Sequence, residues 1–244
     1  MEENNVENQE IHGFREKGQN SQQQIVGAII VAGIIIAGAI LLKGSQAPTT
    51  GGSVINNAKN TDFLGRPVSL DDHIFGNKDA KIVIVEYSDL ECPYCKAFHS
   101  TMHKVVENNT NVAWVYRHYP IPQLHPKAFH EAEATECAFA QGGNDAFWRY
   151  TDRVFEITES NNKLDVAELP KIAEYIGLDV VSFNTCLLQK GENEKKVQQD
   201  VDDGAKAGVT GTPSSFILVK GKLVDTIPGA QPYETVIQKL SQIK

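Results

Sequence analysis

KIVIVEYSDLECPYCKAF, running from Lys81 to Phe98, decides the fold. The run Lys81 to Tyr87 is short and β-branched, the pattern of a buried central strand. Pro93 then stands where a first helical residue belongs, and Phe98, Met102, Val105 and Val106 recur at helical spacing. Val112 to Tyr119, VAWVYRHY, is strand-like again. Strand, helix and strand in that order predict a parallel pair joined by a crossover helix.

Downstream, helical composition covers Pro126 to Gln141, Asn144 to Glu156, Val166 to Ile176 and Val180 to Leu188, with no strand between them. The paired glycines Gly142 and Gly143 suit a helix stop. Glu194 to Ala207 is a further helix, Ser214 to Val219 and Lys222 to Thr226 form a hairpin across Lys220-Gly221, and Tyr233 to Ile243 is a closing helix. Sheet elements flank a helical block, so the expected architecture is one α/β domain over residues 61–244 with an all-helical insertion at about 125–190. The aromatic residues Phe139, Phe147, Trp148, Tyr150 and Phe155 read as its packing. No internal repeat is present.

Upstream, residues 25–42 read IVGAIIVAGIIIAGAILL without a charge. A helix of that length covers about 27 Å, close to the roughly 30 Å of a bilayer core. A cleaved signal peptide is the competing reading, but residues 1–24 carry five Glu against Arg15 and Lys17 and so lack a basic leader. The expectation is a short polar cytoplasmic tail (1–24), an uncleaved single-pass signal anchor (25–42) and a flexible Gly/Ser/Thr/Asn-rich linker (43–60). Orientation is weakly marked by charge, with Arg15 and Lys17 facing Lys43 and Lys59.

The chemistry lies in Cys92-Pro93-Tyr94-Cys95. A sulfur at the start of a helix sits among unpaired N–H groups at the positive end of the macrodipole, which lowers its pKa. That makes Cys92 the nucleophile and leaves Cys95, one turn further in, to resolve a mixed disulfide. A CxxC is also half a zinc site, and His99 and His103 follow on the same helical face. Distance opposes a single ion: Cys92 and His103 stand about 16 Å apart along a helix, against metal bonds of about 2.0–2.3 Å. Cys95 and His99 at best reach one ion, and no metal is assigned. Cys137 and Cys186 fall in separate helices of the insertion. In an oxidising compartment a structural disulfide between them is expected, with two separate buried thiols as the other reading.

EYSDLECPYC, HPKAFHEAEATECAFAQG and VTGTPSSFI, in that order, resemble the DsbA-like thiol-disulfide oxidoreductases of bacterial envelopes, which have a thioredoxin fold. The resemblance implies Cys92 as attacking thiol and Cys95 as resolving thiol. It also implies a cis bond at Thr212-Pro213 against the CxxC, with Pro93, Tyr94, Thr212 and Pro213 contacting substrate. Glu86 stands where the family has a buried carboxyl and becomes the expected proton acceptor for Cys95; a solvent-facing strand Glu is its other reading. His118, His125 and His130 receive no catalytic role.

The resemblance further implies cysteine-containing exported proteins as substrates and a membrane redox partner, either a DsbB-like oxidase or a reductase. It places a monomer on the outer side of a bacterial cell membrane, with no cofactor because electrons travel through sulfur. Twenty-three Lys and Arg against 31 Asp and Glu exclude a phosphate-backbone binder, which carries a basic face. An envelope reductase or isomerase of the same fold, and a membrane-anchored metal- or peptide-binding module without turnover, remain the alternatives.

Overall fold

The computed structural model describes residues 63–189 and 191–243. The tail, the apolar segment 25–42 and the linker lie outside the described residues. Among the described residues no helix is long and apolar enough to cross a membrane.

Five strands form one sheet in the order β1-β3-β2-β4-β5. They are β1 (His73–Gly76), β2 (Ile82–Ser88), β3 (Val112–His118), β4 (Ser214–Val219) and β5 (Lys222–Pro228). The helices are α1 (Pro93–Glu107), α2 (Ala128–Ile157), α3 (Leu169–Tyr175, entered through a 3₁₀ turn at Val166–Glu168), α4 (Val180–Leu188), α5 (Glu192–Ala207) and α6 (Tyr233–Ser241). β2 and β3 are parallel across α1, and the other neighbours are antiparallel. Both sheet faces are covered. Ile84, Trp114 and Tyr116 pack with Phe98, Met102 and Val105 of α1, with α2 and with α6. Val85, Tyr87 and Val115 pack on the other face against Val209 and Phe216. Phe98, Met102 and Val105 are fully buried, which contributes roughly 1.5–3 kcal/mol per side chain.

The structure departs from the sequence reading at β1. β1, HIFG, is a four-residue edge strand too short to show a period. Among the described residues it pairs only with β3, and Asn144 closes its other side: the Asn144 amide donates to Ile74 O at 2.8 Å, and its oxygen accepts from Ile74 N at 2.9 Å. The paired glycines end a helical run as expected, and α2 is two helices that meet at a kink there. Gly143 takes φ 63°, ψ −156°, a conformation open to glycine almost alone, and α2 resumes beyond it. The β4–β5 hairpin turns through Lys220 and Gly221, both at positive φ, as a tight two-residue turn requires.

A buried ion network holds the strand ends together. Arg117 of β3 donates to Asp72 at 2.9 and 3.1 Å and to Asp203 of α5 at 2.8 Å, and the Tyr87 hydroxyl also donates to Asp203.

Candidate active site

Cys92 is the N-cap of α1, with Pro93 in the first turn and no side-chain cap. Pro93 and Tyr94 are exposed and Cys92 is 5% exposed. Its sulfur lies 3.5 Å from the carbonyl oxygen of Thr212, which precedes Pro213 across a cis peptide bond. β4 starts at Ser214, paired with Tyr87 of β2, and this register carries Thr212 and Pro213 toward the start of α1. The Cys92 thiol is pulled down to about 6. A hydrogen bond from Cys95 is the main cause, burial opposes it, and the Cys95 and Tyr94 N–H groups and the Thr212 side chain assist. Thr212 Oγ1 has no other partner, so it can donate to the thiolate once the thiol proton has left.

Cys95 is fully buried, and its sulfur accepts from Asp89 N at 3.4 Å. Burial, then the facing Cys92, then Glu86 push its thiol well above the ordinary value. The two sulfurs are therefore polarised in opposite directions, one an anion near neutral pH and the other a proton holder.

Glu86 is fully buried on β2. Burial pushes its carboxyl up to about 8, with Ser88 and Trp114 opposing. Tyr116 of β3 and Ser215 of β4 are its lateral neighbours in the sheet. Period-two alternation adds Ser88 and Trp114 to the same face. The side-chain polar atoms of all five are buried without a hydrogen-bond partner. Such groups are costly unless they serve a purpose, and a set of them beneath Cys95 suits proton storage and transfer.

The loop before α1 is held by residues that sequence reading left without a role or passed over. Asp89 accepts from Glu91 N at 2.9 Å, Ile121 N at 2.8 Å and His125 Nδ1 at 3.0 Å. Glu91, next to Cys92, accepts from the backbone N–H groups of Asn162 and Leu164. Buried Glu131 lies near it, its carboxyl pushed up to about 9 by burial and by the Glu91 and Asp89 carboxylates. Apart from the local Asp89–Glu91 bond, only tertiary contact reveals these pairs, because each joins residues more than 30 positions apart.

The remaining residues lie elsewhere. Cys137 and Cys186 are joined by a disulfide that ties α2 to α4. His118 is buried with His73 against Glu136, and His130 pairs with Glu133. His99 and His103 turn away from the sulfurs to Asp152 of α2.

A family model described as Thioredoxin matches residues 69–239. Among solved structures, DsbA2 of Pseudomonas aeruginosa is 28% identical with a TM-score of 0.61, covering 74% of this chain and 97% of that one. A thioredoxin-like oxidoreductase of Silicibacter pomeroyi is 25% identical with a TM-score of 0.57, covering 70% and 91%. Among curated relatives, the Na(+)/H(+) antiporter NhaA 3 of Salinispora tropica is 36% identical over 152 residues, 62% of this chain and 22% of the antiporter. The chain thus spans about a fifth of the length of the curated relatives it matches. The fold is that of DsbA-like thiol-disulfide oxidoreductases, and the chain belongs to the thioredoxin family.

Proposed function

We propose that the protein is a thiol-disulfide oxidoreductase that forms or exchanges disulfides in exported proteins through Cys92 and Cys95. The opposite polarisation of the two sulfurs carries this reading. A substrate thiolate attacks Cys92 Sγ of the oxidised pair; the Cys92–Cys95 bond breaks, a mixed disulfide forms, and Cys95 leaves as a thiolate that takes a proton from Glu86. A second substrate thiolate then attacks the substrate sulfur of the mixed disulfide, and Cys92 leaves as a thiolate. Two electrons pass from the substrate dithiol to the cysteine pair. Pro93, Tyr94, Thr212 and Pro213 contact the substrate strand, and no cofactor is involved.

The thiolate also bears on direction. A Cys92 pKa of about 6 leaves about ten thiolates per thiol at pH 7, stabilising the reduced form by about 1.4 kcal/mol, or about 30 mV of oxidising strength for a two-electron couple. This favours donation of the disulfide over reduction of substrates. A membrane redox partner of the DsbB-like oxidase class then restores the disulfide. Residues 25–42 anchor the domain on the extracytoplasmic side of a bacterial membrane, where Cys137–Cys186 persists as a structural disulfide. The antiport named for the curated relatives belongs to those longer chains and does not enter the proposal.

Oxidation of a reduced protein substrate by variants of the full chain tests the reading. Cys92→Ser should abolish it, and Cys95→Ala given a disulfide-containing substrate should trap mixed disulfides, its Cys92 thiolate attacking one substrate sulfur and releasing the other; retained oxidation by Cys92→Ser would refute the assignment.

A further inference from the structure

We propose that His99, His103 and Asp152 bind one divalent first-row transition ion of the zinc class, at a site separate from the redox cysteines. His99 and His103 stand one turn apart on α1 and so share a face. The Nε2 atoms of both converge on Oδ1 of Asp152 in α2, at 2.7 and 2.8 Å, and lie 3.2 Å from each other. Three Lewis bases therefore point at one place, from two elements packed together. A tetrahedral ion with bonds of about 2.0–2.1 Å spaces its ligands about 3.3 Å apart, so the triangle needs to widen by only about half an ångström. Asp152 is 42% exposed at its side chain and can supply that movement.

The imidazoles are held in place. The His99 ring lies 4.6 Å from Phe155 and 5.1 Å from Trp114, and the His103 ring lies 4.4 Å from Phe75. Glu107 Oε1 stands 3.9 Å from His103 Nδ1, on the far side of the ring from the convergence point. A carboxylate that closes from there to hydrogen-bond distance, about 1 Å nearer, orients a metal-bound imidazole. The site opens on a cleft of about 490 Å³ that also has Lys96, Lys104, Glu107 and Glu156 in its walls. Lys96 is turned to the Thr158 carbonyl and Glu156 to Arg153, which leaves Asp152 and Glu107 as the carboxylates beside the imidazoles. Two imidazoles and one carboxylate suit zinc, copper or nickel and not calcium or magnesium, which take oxygen ligands. An open fourth position is the arrangement of a site that exchanges ligands. His73, His118 and Glu136 have the same composition but are sealed in the core, with His73 stacked on Phe147 at 3.5 Å, and give an ion no such access.

The test uses the untagged full chain in detergent, stripped with chelator and with Cys92–Cys95 oxidised, titrated with Zn²⁺ and separately with Co²⁺. One ion per chain is expected, with cobalt showing visible d–d bands and no thiolate charge transfer. His103→Ala and Asp152→Asn should each weaken binding by at least about 10-fold, since even partners of ligands cost that much. His103→Ala should still oxidise a dithiol substrate, and near-isosteric Asp152→Asn guards against a folding defect. No stoichiometric ion overturns the proposal. So does undiminished binding in both variants, or binding confined to reduced protein and lost in Cys92→Ser/Cys95→Ser, which would give the ion to the thiolates.

Discussion

Removing the Cys95 sulfur should raise the Cys92 pKa while leaving Cys92 in place. In the native reduced protein the thiolate midpoint is expected at about 6, with the Cys95 hydrogen bond as its largest support. Cys95→Ala deletes that donor but keeps the Cys95 and Tyr94 N–H groups and the Thr212 hydroxyl, so the midpoint should rise part of the way toward the free-thiol value of about 8.5. A complete return would cut the thiolate fraction at pH 7 from about 0.9 to about 0.03, roughly 30-fold. Each thiolate would, however, be more nucleophilic: with a Brønsted slope of about 0.4–0.5, a rise of about 2.5 units returns 10-fold or more. The two effects nearly cancel in a rate at pH 7, so that rate is a poor test. The thiolate absorbance at 240 nm, followed from pH 4 to 10, reads the midpoint directly, and the pH profile of iodoacetamide alkylation checks it. Cys95→Ser, which keeps a donor, should fall between native and Cys95→Ala. A native midpoint at or above about 8, or one that Cys95→Ala leaves unmoved, would refute the reasoning.

Glu86 makes stability depend on pH. Its folded carboxyl holds a proton up to about 8 while the unfolded one loses it near 4.5; between those values the folded state binds more protons, so stability falls as pH rises, by a ceiling of roughly 5 kcal/mol. Denaturation of native and Glu86→Gln protein across pH 5–8 should show the variant gaining on the native chain as pH rises, and parallel curves would count against a buried neutral Glu86. Opening the disulfide across 49 residues, by reductant or Cys137→Ser/Cys186→Ser, should cost about 4 kcal/mol in the loop model, read as a lower urea midpoint. Arg117→Ala leaves the partly exposed Arg66 to compensate the buried Asp72 carboxylate and should cost up to about 3–5 kcal/mol, whereas Arg149→Ala, from an exposed pair, should cost less than about 1 kcal/mol in the same melts.

Local signals carried much of the fold. The β-branched run before Cys92, the proline at the helix start and the positive-φ turn at Lys220-Gly221 each constrain the backbone within a few residues, and the corresponding elements lie within two residues of their expected bounds. The interactions that position the site are of another kind. Asp89 with His125, Glu91 with Glu131 and Arg117 with Asp203 join residues 36, 40 and 86 positions apart, and no periodicity encodes such pairs. Helical-face geometry put Cys92, Cys95, His99 and His103 on one arc, yet the arc does not say what each residue meets. Cys95 faces Asp89 N, and the two histidines face a carboxylate on α2.

The chemistry then depends on strand register more than on the CxxC itself. Glu86 sits beside Tyr116 and Ser215 because β2 pairs in a fixed frame with both β3 and β4. The same β2–β4 frame, Tyr87 against Ser214, brings the Thr212 carbonyl to within 3.5 Å of Cys92. A slip of one residue would turn Glu86 to the opposite face, toward Val115 and Phe216, turn Val85 and Tyr87 over in its place, and carry the loop before β4 away from the sulfur. The frame is held by contrast between the faces: Ile84 and Trp114 pack under α1, and Val85 and Val115 pack against Phe216 and Val209. Polar atoms can sit unpartnered beneath Cys95 because the hydrophobic packing on either side fixes which residues face inward. The Arg117 network, tying β3 to Asp72 and α5, resists the sliding that would release them.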